Sequence, residues 1–191
     1  MLTANLHGDA LDYQDQIKYL IIKSEILSDE LKKAILTHSQ SIIFYESYGN
    51  EDNFNNLLLP TLKNLKTLEF KTNININWKN ISLQNIEFVE IYFDCQQYIS
   101  NFSDFINING KTLKYLNVGG SPDDIEFLGK LFQSIAQCCI NLEDLSTIYK
   151  NGLEQELMKV LDNCIKLKNI KFKSYNYQNY RDSIPYLKIH Q

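Results

Sequence analysis

The chain alternates short apolar frames with longer, more polar stretches, and the frames share one spacing. Leu62, Leu65, Leu68 and Phe70 stand three, three and two residues apart. The same spacing recurs as Leu83, Ile86, Val89 and Ile91, as Cys164, Leu167, Ile170 and Phe172, and as Cys139, Leu142 and Leu145 with Thr147 in the final slot. Shorter matches are Leu113, Leu116, Val118 and Ile17, Leu20, Ile22, and Ser41, Phe44 and Glu46 form a degenerate copy. The central residues Leu20, Phe44, Leu68, Val89, Leu116, Leu145 and Ile170 are 24, 24, 21, 27, 29 and 25 residues apart. Seven copies at this interval define an internal repeat, which takes precedence over any element-by-element reading.

The closing pair of each frame is spaced by two, the period of a β-strand. Between frames the spacing becomes helical. Over residues 122–137, Ile125, Leu128, Leu131 and Ile135 share one face. Ser121 is placed to cap that helix, with Pro122 at its first position and Asp123 and Asp124 at its positive end. Leu153, Leu157, Val160, Leu161 and Cys164 form a second apolar face. Leu27, Leu31, Ile35 and His38 form a third, and Ile99, Phe102, Phe105 and Ile106 a fourth. Two connections differ: residues 53–62 contain Pro60 and predict a short helix or turn, and residues 72–81, around Trp78, are too few for a proper helix. Each unit is therefore strand, turn and helix, and stacked units share the core that one unit cannot bury alone. The predicted fold class is α/β, a right-handed leucine-rich-repeat solenoid of about seven repeats, with a parallel sheet on the concave face and helices on the convex face. Residues 1–191 form one domain, with repeats over about 13–173. The end, 174–191, reads as an irregular last strand, a cap or the stump of a cut repeat.

Composition narrows the function. The chain has 191 residues, 44% of them hydrophobic, which supports a sizeable core. A formal net charge of −4 disfavours general nucleic-acid binding. No apolar run approaches a membrane span, and the N-terminus lacks a basic start and an apolar secretory segment, so an intracellular protein is expected. Cys95, Cys138, Cys139 and Cys164 contain no Cys-x-x-Cys pair and are expected to be reduced. Cys139 and Cys164 fall in the slot that Leu62 and Leu83 fill elsewhere, so they read as small hydrophobes rather than as metal or redox groups. His7, His38 and His190 are scattered, and no metal-ligand spacing, Walker loop, dinucleotide-binding glycine motif or Gly-x-Ser-x-Gly occurs. No cofactor, metal site or enzymatic activity is expected.

Cysteine at this slot in long, helix-bearing units, as in SIAQCCINLEDL and KVLDNCIKLKNIKF, resembles the cysteine-containing repeats of the F-box/leucine-rich-repeat family, particularly its large fungal sets. The resemblance covers about residues 13–173. It implies a repeat surface that captures a protein for a ubiquitin ligase, with an F-box as the link to a Skp-type adaptor and a cullin. About a dozen residues precede the first repeat and hold no F-box, so adaptor and cullin are expected only if an F-box lies outside this chain. Asn73 and Asp94 fit the slot that closes the strand turn, whereas Ser121 and Lys150 do not. The alternative reading is a stand-alone intracellular scaffold or regulatory binding protein with no ligase link.

Parity assigns the partner-facing side chains. With Leu68 and Phe70 inward, Thr67, Glu69 and Lys71 face the concave side. The same rule gives Tyr19, Ile21, Lys23; Ile43, Tyr45, Ser47; Phe88, Glu90, Tyr92; Tyr115, Asn117, Gly119; Asp144, Ser146, Ile148; and Asn169, Lys171, Lys173. The candidate binding residues are Tyr19, Ile21, Ile43, Tyr45, Phe88, Glu90, Tyr92, Tyr115 and Asn117. Aromatic residues with a polar tip are common interface anchors, and Glu90 could meet a basic group. Strand propensity and cross-strand pairing would also enrich such a face in tyrosine and isoleucine.

Overall fold

The computed structural model describes residues 2–4, 17–23, 27–49, 52–71, 75–93, 101–120, 125–173 and 186–188, the first and last of these as backbone only. In chain order the elements are β1 (Leu2–Ala4), β2 (Tyr19–Ile22), α1 (Asp29–Thr37), β3 (Phe44–Ser47), α2 (Asp52–Leu58), β4 (Thr67–Phe70), β5 (Phe88–Phe93), α3 (Phe102–Asn109), β6 (Tyr115–Gly120), α4 (Ile125–Cys138), β7 (Asp144–Ile148), α5 (Glu154–Asn163), β8 (Asn169–Lys173) and β9 (Tyr186–Lys188). The fold is α/β. Among the described residues the nine strands lie in one sheet in sequence order, β1 to β8 parallel and β9 antiparallel to β8. Neither β1 nor the direction of β9 was part of the expected pattern.

The repeating spacing has a backbone cause. The first slot of each frame is a turn, whose carbonyl accepts from the N–H three residues on. Leu65 N–H donates to Leu62 O (3.1 Å), Ile86 to Leu83 (3.2 Å), Leu142 to Cys139 (3.1 Å) and Leu167 to Cys164 (2.9 Å). The carbonyl just before each of β2 to β7 then accepts two consecutive N–H groups of the next unit. Lys66 O takes Glu87 N–H (2.9 Å) and Phe88 N–H (3.0 Å), Glu87 O takes Lys114 (2.8 Å) and Tyr115 (3.0 Å), and Lys114 O takes Glu143 (2.8 Å) and Asp144 (3.0 Å). Neighbouring strands therefore start level, as a solenoid-like arrangement requires, and like positions stack across the sheet: Leu68, Val89 and Leu116 in one row, Phe70, Ile91 and Val118 in another.

These rows face the helices and are buried. Leu128, Leu131 and Ile135 of α4, Val160 of α5, Ile35 of α1 and Phe102, Phe105 and Ile106 of α3 close the core from the other side. Ile125, expected on the α4 core face, is instead 45% exposed at the start of the helix. Residues 121–124, which were to cap it, lie outside the described residues, as do Ile99, Cys95, Asn73 and Asp94. Residues 53–62 form α2 followed by a 3-10 turn, Leu59–Thr61, and the connection around Trp78 holds only a 3-10 turn, Trp78–Asn80. Apolar burial of this extent, at about 25 cal/mol per Å², is the main source of stability.

One strand is shifted from its expected register by a single residue. The frame of β3 is Ser39, Ile42, Tyr45 and Ser47, with Ile42 N–H donating to Ser39 O (3.3 Å), and all four residues are buried. Tyr45 pairs with Leu20 and Leu68, so it, not Phe44, is the central residue. The shift moves every β3 side chain to the other face of the sheet.

Candidate functional site

The side chains pointing away from the helices form three rows across the sheet. The first row, at the strand starts, is Tyr19, Phe44, Thr67, Phe88, Tyr115, Asp144 and Asn169. Tyr19 and Tyr115 are 47% and 40% exposed, which places them on an open face. Their rings lean on neighbours, Tyr19 on Phe44 with centroids 5.9 Å apart and Tyr115 on Phe88 at 6.0 Å. The row thus holds two tilted aromatic pairs with Thr67 between them.

The second row is Ile21, Glu46, Glu69, Glu90, Asn117, Ser146 and Lys171. Three glutamates stand directly opposite one another on adjacent strands, an arrangement that repels unless a cation intervenes. Lys71 supplies it, with Nζ 2.8 Å from Glu69 Oε2 and 2.5 Å from Glu90 Oε1. Burial opposes the charge on Lys71, but the two carboxylates outweigh it and raise its pKa well above the lysine value. Glu46 is next to Tyr48, whose hydroxyl pKa is raised chiefly by hydrogen bonding to that carboxylate.

In the third row Tyr92 lies beside Gly119. A Cβ at position 119 would come within 2.5 Å of the Tyr92 ring and 2.9 Å of Lys173 Nζ, so glycine is what lets both reach this place. Lys173, on β8, reaches across β7 to donate to Asn117 Oδ1 of β6 (2.6 Å), with its ammonium 4.6 Å from the Tyr92 ring centroid. Burial, partly offset by Glu90, lowers its pKa to about 8. Burial and the nearby Glu90 raise the Tyr92 hydroxyl above its usual value.

Tyr19, Ile21, Phe88, Glu90, Tyr92, Tyr115 and Asn117 therefore sit on the face to which parity assigned them. Tyr45 does not. It is fully buried, donates to Asn55 Oδ1 of α2 and meets Phe70 edge-on at 5.8 Å. Ile43 precedes the strand, half-buried, at the position that Lys66 and Glu87 hold in the next two units. Ser47 also faces the core, and Ile148 is buried at the end of β7. Phe44 was missed as a face residue, although a frame of Ser39, Ile42, Tyr45 and Ser47 has the same three, three, two spacing.

The cysteine slot is inert in character. Cys139 and Cys164 are buried, and burial pushes the Cys164 thiol up to about 11 and the Cys139 thiol higher still, away from the thiolate that metals and electrophiles need. Cys164 Sγ lies 3.7 Å from Ile135 O. Gly110 fills the same slot one unit earlier, where a Cβ would come within 2.9 Å of Cys139 Sγ. Among the described residues no group of three or more His, Cys, Asp or Glu is gathered to hold a metal, and no helix is long and apolar enough to cross a membrane. No protein-family model matches the chain, and no curated protein matches it either.

Proposed function

We propose that the chain is a leucine-rich-repeat solenoid that binds a protein partner on the open face of its sheet. The observation that carries this reading is the first row, where Tyr19, Phe44, Phe88 and Tyr115 point away from the core on neighbouring strands. An aromatic patch held on a hydrogen-bonded sheet costs little ordering entropy on binding and has polar tips at its exposed ends. Beside it the face runs from acidic at Glu46 and Glu69 to basic at Lys171, a polarity that would orient a partner. The buried, free thiols suit an intracellular setting.

The cysteine-bearing repeats also support membership of the F-box/leucine-rich-repeat family, with the open face as the substrate-recognition part of a ubiquitin ligase receptor. Both readings are tested in one experiment. Proteins retained by the chain are compared with those retained by a variant carrying Phe44→Ser, Phe88→Ser and Tyr115→Ser. A partner lost only from the variant is expected, and an identical protein list from both would overturn the face. A Skp-type adaptor and a cullin retained by both would support the ligase link, and their absence from the full-length native protein would remove it.

A further inference from the structure

The edge of the sheet where the strands begin carries charge of the opposite sign to the whole chain. Lys63, Lys66, Lys111, Lys114, Lys166 and Lys168 lie in the turns leading into β4, β6 and β8, while Glu87 and Glu143 are the acids of the equivalent turns before β5 and β7. Six lysines against two glutamates leave four positive charges in excess, in a chain whose formal net charge is −4. Lys114 and Lys168 engage those two acids, at 2.7 Å to Glu87 and 2.5 Å to Glu143. Lys166 turns to Asn141 Oδ1 (2.7 Å), and Lys66 reaches Glu87 only at 3.9 Å. Lys66, Lys111, Lys114 and Lys166 line an open cleft of about 320 Å³. Ile140 and Ile165, 50% and 66% exposed, stand on the same turns.

This edge adjoins the aromatic row in the most direct way possible, because Lys66, Glu87 and Lys114 are the residues immediately before Thr67, Phe88 and Tyr115. A segment lying along the aromatic row has the lysine cleft at its flank. We infer that the edge binds an acidic peptide segment, so that the partner carries Asp or Glu side chains beside its apolar anchors. This rests on the open-face reading and adds the partner's chemistry to it. An extended peptide suits the site better than a nucleic-acid strand, since Glu87 and Glu143 sit among the lysines and would repel a continuous phosphate backbone, whereas spaced carboxylates can settle between them.

A random dodecapeptide display selection on the whole chain tests this, followed by binding of the enriched peptides to two variants. One carries Lys66→Gln, Lys111→Gln and Lys166→Gln, and the other Phe88→Ser and Tyr115→Ser. Thermal unfolding checks that both fold. Enriched peptides with an excess of Asp and Glu are expected, bound about tenfold more weakly by the lysine variant and more weakly as salt rises. A control, Lys33→Gln with Lys159→Gln, exposed lysines on α1 and α5, should bind as the parent does. Peptides without acidic excess, or an absence of enrichment, would overturn the inference. So would equal loss in the control, or tighter binding of single-stranded oligothymidylate than of any selected peptide. Loss in the aromatic variant alone would overturn the edge and keep the open face, whereas loss in the lysine variant alone would keep the edge and overturn the face.

Discussion

Two connections on the helical side of the sheet solve the same packing problem differently. Between β6 and β7 runs α4, fourteen residues long, with Leu128, Leu131, Phe132 and Ile135 fully buried. Between β4 and β5 the described residues hold only a 3-10 turn, yet the strands on either side start level through the same paired hydrogen bonds. Trp78 makes up the missing volume. It is completely buried and meets Phe70, Phe102 and Phe105 edge-on at 6.0, 5.3 and 5.1 Å. A short turn also leaves backbone groups without helical partners, and Asn109, at the end of α3, takes them. Its Oδ1 accepts from Leu83 N–H (2.6 Å), and its Nδ2 donates to Ile81 O (2.8 Å) and Phe105 O (2.9 Å). Strand register is thus set by the turns, and the layer behind the sheet needs filling and hydrogen bonding but not a helix.

The sharpest way to break this comparison is Trp78→Ala. It should cost about 3–5 kcal/mol, because it removes the largest side chain of this layer from between Phe70, Phe102 and Phe105. In α4, where neighbours are interleaved along four turns, a single Leu128→Ala should fall toward the lower part of the range for buried leucine, about 2–5 kcal/mol. Urea unfolding of both variants measures the contrast, and a Trp78→Ala cost below that of Leu128→Ala would show that the indole is not the substitute for a helix. Asn109→Ala comes next, at about 2–4 kcal/mol, since it strands a buried N–H and a buried carbonyl at once. Hydrogen exchange should then speed up at the Leu83 amide while the amides of β7 keep their protection.

Much of this architecture was legible because it is written in the main chain. The three-residue spacings are turn hydrogen bonds and the two-residue spacing is a strand, so Leu62 to Phe70 and Cys164 to Phe172 could be placed from spacing alone. The register of β3 could not. Its frame has serine at both ends, and its centre is a tyrosine, which is buried at low cost only because Asn55 accepts from its hydroxyl across ten residues. Asn109 was equally hidden, as Leu83 and Ile81 lie 26 and 28 residues back in the chain. The open face was legible wherever parity held, and Phe44 escaped for the same reason that Tyr45 was misplaced.

The cysteine slot offers a smaller contrast, between a residue that fills space and one that reacts. Cys164→Ala should cost about 1 kcal/mol, the scale of one small buried group beside a cavity. The purified protein should contain no stoichiometric zinc before or after the change, by elemental analysis. Zinc released on substitution would overturn the packing role.

The smallest effect separates the two ends of the open face by pH. Lys71 is held charged by Glu69 and Glu90, whereas burial leaves Lys173 with a pKa near 8, below the ordinary 10.5. Between those two values the unfolded chain binds more protons at position 173 than the folded one, so stability rises with pH across that window. Below it the full penalty of burying the ammonium is present, softened by Asn117 and the Tyr92 ring. Lys173→Met keeps the stem on Tyr92 and removes the titration. Every other ionisable group is common to both proteins, so its contribution drops out of the difference to first order. The variant's advantage over the parent should therefore shrink as pH climbs from about 8 to 10.5, measured by urea unfolding at each pH. A difference that stays flat would mean that Lys173 sits in water like a surface lysine, and one that widens would mean that the fold stabilises its ammonium instead of penalising it.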